Sequence, residues 1–138
     1  EEEKPAELID SKGGTETILL AEDDIDVREL TRTVLEEFGY TVISAVNGED
    51  AINKFMENKD KIHILLLDMV MPKKRGKEVY EEIIKIKPDI KALFVSGYPS
   101  DFIHKKEIRK QGLNFISKPV PPQELMKKLR EILDRGIK

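Results

Sequence analysis

This sequence predicts an α/β fold: one five-stranded parallel sheet, strand order 2-1-3-4-5, covered by helices on both faces in a three-layer sandwich. Three observations carry that prediction. Short apolar runs alternate with longer amphipathic runs five times beyond residue 15. The runs at 17–21 and 62–67 are almost unbroken, the pattern of strands buried on both faces of a parallel sheet. Five such units in ~120 residues suit an open sheet with right-handed crossovers, whereas a closed eight-unit barrel takes about twice the chain.

Residues 1–14, EEEKPAELIDSKGG, have no sustained periodicity and read as a flexible tail or interdomain linker. Strand one, 17–21, stops at Glu22-Asp23-Asp24. Residues 26–38 place Val27, Leu30, Val34, Leu35 and Phe38 at helical spacing, with Gly39 as terminator. Residues 40–46 are rich in β-branched side chains and predict strand two. Residues 49–58 put Ala51, Ile52, Phe55 and Met56 on one helical face. Strand three, 62–67, runs into Asp68. After a Met71-Pro72 loop, Val79, Tyr80, Ile83, Ile84 and Ile86 predict a helix stopped by Pro88. Strand four, 92–95, ends at Ser96-Gly97, and a fourth helix of lower apolar content follows near 100–110. Strand five, 113–116, ends at Ser117-Lys118-Pro119. Pro121-Pro122 opens a last helix carrying Leu125, Met126, Leu129, Ile132 and Leu133.

Composition narrows the function classes. The 138 residues carry 24 Lys+Arg and 27 Asp+Glu, a net charge of −3, so bulk attraction to nucleic acid or an anionic membrane is not expected. With no cysteine, thiol chemistry and thiolate metal sites are excluded. No apolar run approaches the roughly 20 residues of a membrane helix, so a soluble, cytoplasmic protein without membrane insertion is expected. His63 and His104 have no sequence partner that suggests catalysis.

In open sheets of this kind the site lies beyond the carboxyl ends of the strands, at the topological switch point. In the order 2-1-3-4-5, strands one and three are central neighbours, so Glu22, Asp23 and Asp68 meet there. Three clustered carboxylates repel and need compensation. An all-oxygen anionic set suits a hard cation such as Mg²⁺, which leaves coordination positions for phosphate oxygens. Lys118 adds a positive charge and Ser96 a hydroxyl from the next two strand ends. A cation, an ammonium and a hydroxyl around one carboxylate are the equipment for phosphoryl transfer to that carboxylate. Asp24, one position further on, begins the first helix as a cap. A flavin-type binder of the same fold class wants a Gly-rich phosphate loop after strand one. The acidic triplet found there would repel a phosphate.

Four stretches, ILLAEDDIDVREL, LLLDMVMP, ALFVSGYP and FISKPV, each at the end of a different predicted strand, resemble the receiver domain of two-component response regulators over residues 15–136. The resemblance implies a flavodoxin-like (βα)5 receiver domain at 15–137 that accepts a phosphoryl group from a histidine kinase or histidine phosphotransfer domain. It implies Asp68 as phosphoacceptor. Glu22, Asp23, Asp68 and the Val70 backbone carbonyl become ligands for Mg²⁺ or Mn²⁺. Ser96 and Lys118 become phosphate-binding groups, Phe115 the aromatic switch, and Pro119 the partner of a cis peptide. Such a domain is no enzyme toward other substrates: it catalyses only its own phosphorylation and dephosphorylation. It switches the face made by the fourth helix, fifth strand and fifth helix, through which a homodimer is also expected. Glu22 stands where the commonest pattern has Asp, and Phe115 where it has Tyr. Lys73-Lys74-Arg75 is basic where an acidic residue is frequent. The GGTETILL, MPKKRGKEVYEEI and SGYP stretches look most like receivers at the C-terminal end of hybrid sensor histidine kinases.

Overall fold

The computed structural model describes residues 13–69, 71, 74–96, 114–118 and 120–135. The tail up to residue 12, the fourth predicted helix near 100–110, Val70, His104 and Pro119 lie outside the described residues. The elements are β1 (Thr17–Ala21), α1 (Ile25–Glu37), β2 (Thr41–Ala45), α2 (Gly48–Asn58), β3 (Ile64–Asp68), α3 (Gly76–Ile84), β4 (Lys91–Ser96), β5 (Asn114–Ser117) and α4 (Pro122–Arg135). The five strands form one sheet in the order β2-β1-β3-β4-β5, with every pair parallel, as predicted.

Alternation along the strands splits the core in two. Leu19, Ala21, Leu65, Leu67 and Phe94 point to one face, where Phe55 of α2 and Val79 and Ile83 of α3 cover them. Ile18, Leu20, Ile64, Leu66 and Leu93 point to the other, against Leu35 of α1 and Leu125, Met126, Leu129 and Leu133 of α4. All five residues of β3 are buried, which explains why its sequence shows no alternation. Each such aliphatic side chain contributes about 1.5–3 kcal/mol on leaving water. The sheet therefore holds its central strands, and the residues that follow them, rigidly.

Helix starts are set by side chains. Asp24 accepts from Val27 N–H at 3.0 Å, and Asn47 accepts from Asp50 N–H at 2.8 Å. The end of α1 needs a left-handed residue, and Gly39 supplies it at φ 100°. A side chain there would also come within 2.5 Å of the Gly14 carbonyl oxygen.

Three expectations about burial are corrected. Leu30 is 67% exposed and Met56 46%, although the pattern assigned both to covered faces. On α1 the buried residues are Arg28 and Leu35, seven positions apart. Leu30 lies two positions from Arg28, about 200° round the helix, on the stripe with Val27 and Val34 that lines an open cavity toward α4. Met56 follows the buried Phe55 and is turned about 100° from it. Ile86 falls beyond the end of α3 and is also exposed.

At the amino ends of the strands, opposite the predicted site, Arg130 of α4 gathers distant segments. It meets both carboxylate oxygens of Glu16 at 2.9 and 3.1 Å, and it also bonds Asp134 and the Gly13 carbonyl. Gly14 N–H donates to Phe38 O at 3.2 Å, so this stretch of the predicted linker is bonded to the end of α1. His63 sits just before β3, and its Nδ1 accepts from Thr17 N–H at 2.9 Å, a structural role at a strand start.

Candidate functional site

The register of the sheet assembles the site. Ala21 is opposite Leu67 and Asp68 is opposite Val95, so the chain leaves β1 as Glu22 beside the last residue of β3. Glu22, Asp23 and Asp68 each present a carboxylate oxygen, and these oxygens lie within 4.8 Å of one another. Glu22 is 4% exposed and Asp68 6%, whereas Asp23 faces solvent. Lys118, directly after β5, reaches across with Nζ 3.1 Å from Glu22 and 3.3 Å from Asp68. Its backbone is fixed by Lys118 N–H donating to Ser96 O at 2.7 Å. Ser96 is the last residue of β4 and is buried. Phe115 is half-buried on β5 and packs against the core under α2 and α3. The structure thus gathers Glu22, Asp23, Asp68 and Lys118 and sets Ser96 and Phe115 on the two neighbouring strands.

The electrostatics follow from crowding. Burial, and then the neighbouring Asp68 charge, push the Glu22 carboxyl up to about 7, against the opposing pull of Asp24 N–H and Lys118. Burial alone would lower Lys118, but Asp68 and Glu22 outweigh it and hold the ammonium above its ordinary range. Three hard oxygen donors and one ammonium leave a net negative pocket, the donor set that fits a small divalent cation. The basic loop residue Lys74 pairs with Glu82 at 2.9 Å, away from the carboxylates.

Two further features escaped the sequence reading. Arg28 is buried, with its guanidinium on the carbonyls of Glu22 and Asp23. Its only sequence signal is its place seven residues before Leu35, on the same helical stripe. Gly76 opens α3 so close under Asp68 that a Cβ there would sit 2.4 Å from the Asp68 carbonyl oxygen. Beside the acidic cluster a cavity of about 510 Å³ runs between α1 and α4, lined by Val27, Leu30, Val34, Val120 and Leu125.

A doubly wound parallel sheet with three carboxylates and a lysine gathered at its central strand ends defines the receiver class of signalling domain. The sequence matches the family profile described as "Response regulator receiver domain" over residues 18–130, and the chain belongs to that family, the receiver domains of two-component systems. It is 33% identical over 133 residues to the sensor kinase CckA of Brucella abortus, covering 96% of this chain and 14% of that protein. It is 32% identical to the response regulator receiver protein CpdR of the same organism, covering 84% of this chain and 95% of CpdR. Among solved structures, response regulator protein TrrA from Thermotoga maritima, in complex with Mg²⁺-BeF, superposes with a TM-score of 0.76 at 30% identity, covering 86% of this chain and all of that one. The chain therefore spans nearly all of one curated relative and a small part of another. None of the helices among the described residues is long and apolar enough to cross a membrane.

Proposed function

We propose that this domain accepts a phosphoryl group on Asp68 from a phosphohistidine on a histidine kinase or phosphotransfer partner. The observation that supports it most is Lys118 Nζ lying within 3.3 Å of both buried carboxylates, Asp68 and Glu22, beside the acidic cluster. Asp68 Oδ attacks phosphorus in line, an oxygen–phosphorus bond forms, and the phosphorus–nitrogen bond to the donor imidazole breaks. The imidazole leaves with the electron pair and takes a proton from water. Lys118 neutralises charge on the incoming phosphoryl oxygens, and Ser96 donates its hydroxyl to them. Glu22, Asp23, Asp68 and the Val70 carbonyl are the residues that would hold Mg²⁺ or Mn²⁺, which supplies further charge neutralisation when bound. Attack of water on phosphorus breaks the Asp68 oxygen–phosphorus bond and releases inorganic phosphate, so the only reactions catalysed are the domain's own phosphorylation and dephosphorylation.

The readout proceeds through Ser96 moving toward the phosphoryl group and Phe115 turning into the space released, which alters the face around β5 and favours a homodimer there. Ile25 and Leu30, exposed on α1 next to the acidic cluster, offer an apolar landing for the donor protein. The likeness to a sensor kinase supports a receiver carried within a hybrid kinase, with the residues before Gly13 as its linker; a cytoplasmic location goes with that reading.

The test is intact-mass measurement after incubation with Mg²⁺ and phosphoramidate. One labile phosphoryl group is expected on the wild type and none on Asp68→Asn. Equal labelling of the two, or no labelling and no Mg²⁺ binding by the wild type, would overturn the reading.

A further inference from the structure

We propose that Arg28 is a positioning residue for the cation site: from beneath, it holds the Glu22–Asp23 backbone so that the two acidic side chains converge with Asp68. The inference deepens the metal reading of the acidic cluster and rests on it. Arg28 is 8% exposed, which is costly for a guanidinium unless its donors are satisfied. One of them is directed at two main-chain carbonyls: Nη1 donates to Glu22 O at 2.7 Å and, more weakly, to Asp23 O at 3.4 Å.

Helix geometry explains the reach. Helical side chains lean toward the N-terminus of their helix, so a long side chain one turn into α1 covers the segment just before it. That segment is Glu22–Asp24, the junction between β1 and α1. The same junction is tied again by Arg28 N–H on Asp24 O at 2.8 Å and by Asp24 N–H on Glu22 Oε2 at 3.1 Å. Fixing two successive carbonyls fixes the peptide planes, and with them the directions in which the Glu22 and Asp23 side chains leave the chain.

The charge of Arg28 argues for holding rather than attraction. A buried positive charge beneath a cation site repels the cation. If Arg28 acted through charge alone, its removal would tighten Mg²⁺ binding. If it acts by holding the carbonyls, its removal weakens binding, because the carboxylates must then be gathered by the metal itself.

The experiment is calorimetric titration of Mg²⁺ into wild type, Arg28→Met and Arg28→Lys, with amide hydrogen exchange at Asp23 and Asp24 in EDTA. Arg28→Met is expected to bind Mg²⁺ about 10-fold more weakly, the typical loss for an outer partner of a ligand. It should show faster exchange at those two amides and recover phosphoramidate labelling at saturating Mg²⁺. Arg28→Lys keeps the charge and reaches one carbonyl, so its affinity should fall between the two. Unchanged or tighter Mg²⁺ binding by a folded Arg28→Met overturns the proposal. Should Arg28→Met not fold, Arg28→Lys decides, and wild-type affinity there overturns it. A wild type that binds no Mg²⁺ overturns the metal reading itself and the inference with it. Normal wild-type binding with an indifferent variant overturns only the role of Arg28.

Discussion

Replacing Glu22 by Gln should stabilise the metal-free domain, and by an amount that grows with pH. Gln keeps the shape of Glu22, and its one oxygen can still accept from Asp24 N–H, while its NH2 takes the place of the oxygen that faces Lys118. It removes one of the charges crowded at the ends of β1 and β3. In the wild type the Glu22 carboxyl is raised from an ordinary 4.5 to about 7, chiefly by burial and then by Asp68. A group whose pKa is raised by folding contributes stability that is fully present below its unfolded value and lost as pH climbs through the folded value. The wild type therefore loses stability between pH 4.5 and 7, and at ~1.36 kcal/mol per unit the loss approaches about 3 kcal/mol by pH 8. Glu22→Gln has no such loss. Urea titrations in EDTA at pH 5, 6, 7 and 8 should show a gap in favour of the variant that widens to at most about 3 kcal/mol. Saturating Mg²⁺ should shrink or invert the gap, since the cation binds the wild type more tightly and stabilises it by mass action. A gap that stays constant from pH 5 to 8 would refute the claim that Glu22 is strained by burial and by its neighbours.

Two further outcomes are expected. Lys118→Met should slow phosphoramidate labelling of Asp68 about 100-fold at saturating Mg²⁺, because it removes a preorganised donor to the transferred group; intact-mass time courses measure it, and an unchanged rate would show that the ammonium pairs with the carboxylates without assisting transfer. Arg130→Met should cost about 1–2 kcal/mol in urea unfolding, from the loss of a partly buried double contact with Glu16, while Mg²⁺ affinity stays at the wild-type value, since Arg130 lies at the other end of the sheet.

The legibility of this fold was uneven, for physical reasons. Apolar runs such as Ile64–Asp68 announce a two-sided buried strand, and their order along the chain restricts the sheet to few topologies. Once strands one and three are neighbours, the meeting of Glu22 and Asp68 follows from register alone. The side chain of Lys118 was legible as a charge at a strand end. Its simultaneous reach to Glu22 and Asp68 was not, because reach depends on the stagger of β4 and β5. The reading of α1 took each apolar residue as covered, but a helix buries a stripe, and its rotation about its axis is decided by tertiary packing. That rotation left Leu30 over an open cavity and turned Arg28 in. Gly13-Gly14 looked like plain linker because its partners, the Phe38 carbonyl and Arg130, are far away in sequence.

The spread of the site along the chain bears on how the domain fails as well as how it works. Glu22, Asp68 and Lys118 belong to three separate strand ends, and the last of them follows β5, the last strand among the described residues. The acceptor and its lysine are held in place across three neighbouring strands, β3, β4 and β5. Acceptor competence should therefore disappear in one step with cooperative unfolding, and local fraying of β5 from the sheet edge should silence the site while the carboxylate cluster persists.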